Sequence, residues 1–128
     1  MTVIDDTYNA NPDSMKSALK VLAQSPCKGH RIAVLGDMFE LGDDSDKLHY
    51  SVGIFARGCG IDKLVAIGDR AAEIARGAEG GDLEVRYFPT KEDFYEEMQQ
   101  ITGEGDIVLV KASRGMKMED IVARVAEL

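Results

Sequence analysis

The sequence predicts an α/β protein, a three-layer sandwich in which helices cover both faces of a mostly parallel sheet of five to six strands. Two observations carry this expectation. Five short β-rich runs alternate with five amphipathic segments along the chain, and such a series builds a parallel sheet with right-handed crossovers. Several of the runs are apolar on consecutive positions instead of alternate ones, as strands buried on both faces require.

The strand candidates are Val3–Asp5, Arg31–Leu35, Lys63–Ile67, Leu83–Phe88 and Ile107–Lys111. Met15, Ala18, Leu19 and Leu22 form the first helical stripe, and Leu48, Val52, Phe55 and Ala56 the second. Ala71, Ile74 and Ala75 make a shorter third stripe. Phe94, Met98 and Ile101 make the fourth, opened by Thr90 as N-cap with Asp93 three residues on. Met118, Ile121, Val122 and Val125 make the last. These are core faces, not cofactor boxes. Gly58-Cys59-Gly60 and the stretch from Gly77 to Gly81 read as helix ends and turns.

At 128 residues the chain reads as one domain, 1–128, with 45% hydrophobic and 30% charged residues. A net charge of −8 argues against nucleic acid as a partner and for a repulsive, monomeric surface. No apolar run reaches membrane-spanning length and no secretory leader is visible, so no membrane association is expected. Cys27 and Cys59 form no CxxC pair and no metal set with His30 and His49, which makes a free-thiol cytoplasmic protein the default. The chain begins almost inside its first strand, and it is read as an excised piece of a longer protein.

A Walker A loop, GxGxxG, HExxH and GxSxG are all absent, so the chain carries no recognisable phosphate cradle, zinc site or serine nucleophile of its own. The chemistry lies in three turns that follow predicted strands, at the edge where open parallel sheets bind ligands. The first, Asp5-Asp6-Thr7-Tyr8-Asn9-Ala10-Asn11-Pro12-Asp13-Ser14-Met15, crowds acids and amides ahead of a helix. Adjacent carboxylates repel unless solvated, hydrogen-bonded or cation-bound. A capped turn accounts for Asn11 as N-cap and Pro12 in the first helical turn, but not for the whole cluster. The second, Gly36-Asp37-Met38-Phe39-Glu40-Leu41-Gly42, reads either as a ligand loop or as a packed loop with Phe39 and Leu41 tucked under. His49 follows on the next helix, where a lone histidine is more often structural than a ligand contact. The third, Lys111-Ala112-Ser113-Arg114-Gly115-Met116-Lys117, holds three cations and no acid. It is either a solvated basic turn or an anion site in which Arg114 forks a carboxylate or phosphate.

Taken together, these three loops resemble the C-terminal domain of the Mur ligases, with Leu35 opening the second motif and Val110 and Met118-Glu119 framing the third. The match lies with the branch that adds D-alanyl-D-alanine to UDP-N-acetylmuramoyl-tripeptide, and it spans essentially the whole chain. Position 112 is often glycine in that pattern, and alanine here is a mild departure. The resemblance implies a Rossmann-like domain, the last of three in a cytoplasmic, ATP-dependent ligase of peptidoglycan synthesis. It implies a central ATPase domain of the same chain that carries the P-loop and holds Mg2+, with no metal ligand and no catalytic group here. ATP would phosphorylate the tripeptide carboxylate, and the dipeptide amine would attack the acyl phosphate. Carried over by position, Asp6, Tyr8, Asn9 and Asn11 would contact ATP, and Lys111, Ser113 and Arg114 would hold the carboxylate of D-alanyl-D-alanine.

An alternative belongs to another class. Asp5, Asp6 and Lys111 also fit a response-regulator receiver, a phosphoacceptor domain of similar length. Against it, the third strand ends Ala66-Ile67-Gly68 with Asp69 one step late, and Ala112 stands where receivers place proline.

Overall fold

A computed structural model describes residues 1–128. Five strands, β1 (Thr2–Asp6), β2 (Arg31–Gly36), β3 (Lys63–Ile67), β4 (Glu84–Phe88) and β5 (Ile107–Lys111), alternate with α1 (Pro12–Gln24), α2 (Ser45–Gly58), α3 (Ala72–Ala78), α4 (Lys91–Ile101) and α5 (Glu119–Ala126). The strands form one sheet in the order β1-β5-β2-β3-β4, and every neighbouring pair is parallel. The expected three-layer architecture is therefore present, with five strands.

Strand residues alternate between two cores, as the two-residue period of a strand demands. Ala33, Leu35, Leu64, Ala66, Ile107 and Leu109 point into the core beneath α1, α2 and α3. Ile32, Val34, Val65, Ile67, Val108 and Val110 point the other way, onto α4 and α5. β2 and β5 are buried almost throughout, and this is why they read as unbroken apolar runs. β1 and β4 lie at the edges and are only half covered.

The helix starts follow from their caps. The Asn11 side chain accepts from the Ser14 N–H at 2.8 Å, Ser14 Oγ accepts from the Asn11 N–H at 3.0 Å, and Pro12 occupies the first helical turn. Thr90 accepts from the Asp93 N–H at 3.2 Å to open α4. At the amino edge of the sheet, Asp106 accepts from the N–H groups of His30 and Gly103 at 2.7 and 2.8 Å and anchors the turn before β5. No helix is long and apolar enough to cross a membrane.

The receiver alternative finds no support in this sheet. Receivers order their strands 2-1-3-4-5 and keep the first strand inside, whereas here β1 is at the edge and β5 separates it from β2.

Candidate functional site

The strand order creates the site. β1, β2 and β3 each run forward to a partner on the same side, so α1, α2 and α3 share one face, while α4 and α5 lie on the other. At β5 the chain therefore leaves toward the opposite face from its neighbours β1 and β2. Crevices open at the carboxyl ends of strands that diverge in this way. All three loops singled out in the sequence gather there.

The first and third loops are locked together. Asp6 and Lys111 are register partners on the last rung between β1 and β5. The Lys111 ammonium donates to the Asn9 carbonyl at 2.8 Å and lies 3.0 Å from the Asp6 carboxylate. Lys111 is only 2% exposed. Above this pair the Arg114 guanidinium stacks on the Tyr8 ring, 5.2 Å from its centroid. Tyr8 itself is 74% exposed, and Arg114 is exposed without an ion-pair partner. An open cleft of about 540 Å³ lies against α1 here, lined by Asp6, Tyr8, Asn9, Ser14, Ser17 and Lys111 among others. Asn9 faces solvent, whereas the Asn11 side-chain oxygen Oδ1 is committed to capping α1.

The second and third loops are locked as well. The Ser113 N–H donates to the Asp37 carbonyl at 2.9 Å, and Ser113 Oγ accepts from the Phe39 N–H at 2.7 Å. Ser113 is thus a buried brace whose hydroxyl hydrogen is still free to donate. Ala112 fits beneath it because Gly36 lacks a side chain: a Cβ there would lie 2.8 Å from that of Ala112. Phe39 is gripped by the Arg70 guanidinium, 5.8 Å from its ring centroid, and by Gly115, where a Cβ would come within 2.7 Å of the ring. At the far end of the third loop Lys117 takes a left-handed φ of 53°. Lys91 of α4 holds it there, donating to the Lys117 carbonyl at 3.2 Å and pairing with Asp120 at 3.1 Å.

Two buried titratable groups support this frame. His49 is fully buried. Its Nε2 accepts from the Met38 N–H at 2.9 Å and its Nδ1 lies 2.7 Å from the Ser45 carbonyl, so the ring is neutral with the hydrogen on Nδ1. His49 is a strut for the second loop. Asp37, 7% exposed, accepts from the Ala71 N–H at 2.7 Å and so ties the second loop to the turn before α3. Burial pushes its carboxyl pKa up, partly opposed by the hydrogen bond from the Ala71 N–H. Gly68, at φ +117°, makes room, since a Cβ there would lie 2.6 Å from the carboxylate.

Three of these relationships are not legible in the sequence: the Asp37 link to the turn before α3, the Ser113 brace and the Lys91 pin. Each joins residues far apart in the chain, and no local pattern announces it. A larger cleft of about 650 Å³, bordered by Met1, Thr102, Glu104 and Leu128, opens elsewhere, away from the three loops. No group of three His, Cys, Asp or Glu side chains is placed to hold a metal ion.

This fold, with its three interlocked loops, is that of a Mur ligase C-terminal domain, and the chain belongs to that family: the model for "Mur ligase, glutamate ligase domain" matches residues 1–114. Among curated proteins it is 36% identical to the UDP-N-acetylmuramoyl-tripeptide–D-alanyl-D-alanine ligase of Bacillus subtilis, over 99% of this chain and 28% of that protein. It is 35% identical to the ligase of the same name from Escherichia coli, over 98% of this chain and 27% of that protein. The crystal structure of MurF from Acinetobacter baumannii superposes with a TM-score of 0.86 at 33% identity, covering 98% of this chain and 27% of that one. MurF ligase from Thermotoga maritima in complex with ADP gives 0.77 at 27% identity, over 95% of this chain and 27% of that one. The chain thus spans little more than a quarter of these relatives' length.

Proposed function

We propose that the chain is the C-terminal domain of a three-domain, cytoplasmic, ATP-dependent ligase that joins D-alanyl-D-alanine to UDP-N-acetylmuramoyl-tripeptide in peptidoglycan precursor synthesis. The observation that carries this reading is the convergence of three motif-bearing loops, interlocked through Asp6–Lys111 and Ser113–Phe39, on the ligand edge of the sheet. The names of the similar ligases supply the substrates.

The residues fit a nucleotide on the first loop. Asp6 is partly exposed, Tyr8 and Asn9 are exposed, and all three border one open cleft. Asp6 and Asn9 would hydrogen-bond polar groups of ATP, Tyr8 would offer a ring face, and Asn11 would add its remaining amide donors. ATP supplies the phosphoryl group that activates the tripeptide carboxylate. Mg2+ would be held mainly by the central ATPase domain of the same chain. On the third loop, Arg114 presents an unpaired guanidinium and Ser113 a hydroxyl hydrogen toward the carboxylate of D-alanyl-D-alanine. This domain would orient the acceptor while the chemistry proceeds on the central domain, and the whole enzyme would act as a monomer.

The test is to express the longer protein containing this segment and supply ATP, magnesium, UDP-N-acetylmuramoyl-tripeptide and D-alanyl-D-alanine. Phosphate release that needs both acceptors, with the pentapeptide product seen by mass spectrometry, is the expected result. Turnover with other amino acids but not with the dipeptide would overturn the substrate assignment.

A further inference from the structure

Resting on the ligase reading above, we infer that Lys111 is a positioning residue of the nucleotide-side loop and does not touch the dipeptide. An ammonium group has three hydrogens and no acceptor, and two directions are already taken by the Asn9 carbonyl at 2.8 Å and the Asp6 carboxylate at 3.0 Å. The side chain is buried behind the loop, only 3% exposed against 44% for Asp6. A buried charge that loses its sole counter-ion is strongly destabilised, so Lys111 does not leave Asp6 to meet a second carboxylate. Arg114, exposed, without an ion pair and stacked on Tyr8 beside the cleft, is a cation available to an incoming acid.

The contact with Asn9 decides which ligand feels Lys111. Between the end of β1 and the Asn11 cap, residues Thr7 to Ala10 make one hydrogen bond to another element of the fold, and it is this one. The Lys111 ammonium therefore sets the path of the turn that carries Asp6, Tyr8 and Asn9. Its position on the last rung of β5, in register with Asp6, makes that path a property of the sheet.

The experiment uses the full-length enzyme with Lys111→Met, which keeps the stem and removes the charge. Expected are a rise of roughly tenfold in the ATP KM, a dipeptide KM within twofold of wild type, and faster hydrogen exchange confined to the segment from Asp6 to Asn11. Lys111→Gln, which retains one donor for the Asn9 carbonyl, should fall between wild type and Lys111→Met, and it serves as the reporter if the methionine variant does not fold. A rise in the dipeptide KM with an unchanged ATP KM would overturn the inference and place Lys111 on the acceptor. A lower melting temperature with neither KM changed would make it a structural residue only, and would also overturn it. If the wild-type enzyme makes no product from the named substrates, the ligase reading fails. The exchange measurement still decides whether Lys111 pins the loop.

Discussion

Gly53 of α2 and Gly77 of α3 let the two helices meet backbone to backbone. A Cβ on Gly53 would lie 2.0 Å from the Ile74 carbonyl oxygen, and one on Gly77 would lie 2.2 Å from that of Tyr50. Neither obstacle is a flexible side chain. Gly53→Ala is therefore expected to destabilise the domain by about 1–3 kcal/mol through overpacking, despite alanine's better helix propensity. Gly58→Ala, at the end of the same helix with nothing within 4 Å, should be neutral or mildly stabilising. Urea melts of both variants provide the comparison. Equal effects would mean that the helices are not in close contact.

The isolated 128-residue chain is expected to fold cooperatively as a monomer and yet to turn over nothing. It lacks a phosphate loop and has no cluster of metal ligands. Incubation with ATP, magnesium and both acceptor substrates should release no phosphate above a blank. Activity lost on denaturing this chain would place catalytic groups within it.

The elements of this fold were legible because burial wrote them into the sequence. β3 and β5 run as read, and α4 begins at the Thr90 cap. β4 starts at Glu84, one residue later than the apolar pattern suggested, as befits an edge strand with little burial to define its end. Strand order was not legible, since parallel neighbours are chosen by tertiary packing. For the same reason Lys111 read only as one of three cations in a basic turn or anion site. A lysine closing a strand of four apolar residues did hint at burial, but its partner Asp6 lies more than a hundred positions away and only the register brings them together. Asp37 lay in a loop that read either as a ligand loop or as a packed one, and nothing local revealed the Ala71 N–H it meets.

Asp37 should leave a mark on acid stability. Burial raises its folded pKa above the unfolded value, so between the two values the folded state binds more protons. Stability from this group is then fully present below the unfolded pKa and is lost as pH rises through the folded one. Asp37→Asn, which keeps an acceptor for the Ala71 N–H, should remove that component. Melting temperatures measured from pH 4 to pH 8 should therefore show the variant gaining on wild type as pH rises. A gain at low pH instead would mean that the carboxylate is stabilised in the fold.

Arg114→Ala in the full-length enzyme should weaken the dipeptide. A charge-assisted hydrogen bond is worth about 1.5–3 kcal/mol. If it is equally strong in ground and transition states, its loss raises the dipeptide KM by roughly ten- to a hundredfold and leaves kcat nearly unchanged. Because the guanidinium rests on Tyr8, Tyr8→Ala should produce a smaller rise in the same constant. An unaltered dipeptide KM with a weakened ATP KM would exchange the assignments of the two loops.

The sheet order also governs how the domain comes into being. β5 follows the other four strands in the chain and yet sits between β1 and β2. Until it is released from the ribosome, β1 lacks its partner β5, and the β2-β3-β4 half carries an open edge where the centre of the sheet will be. Closure joins residues at opposite ends of the sequence, a late and entropically costly step. A nascent chain halted before Ile107 holds an unpaired strand edge exposed to aggregation. The same final insertion delivers Lys111 to Asp6, so the ligand edge is assembled at the moment the domain completes itself and not before.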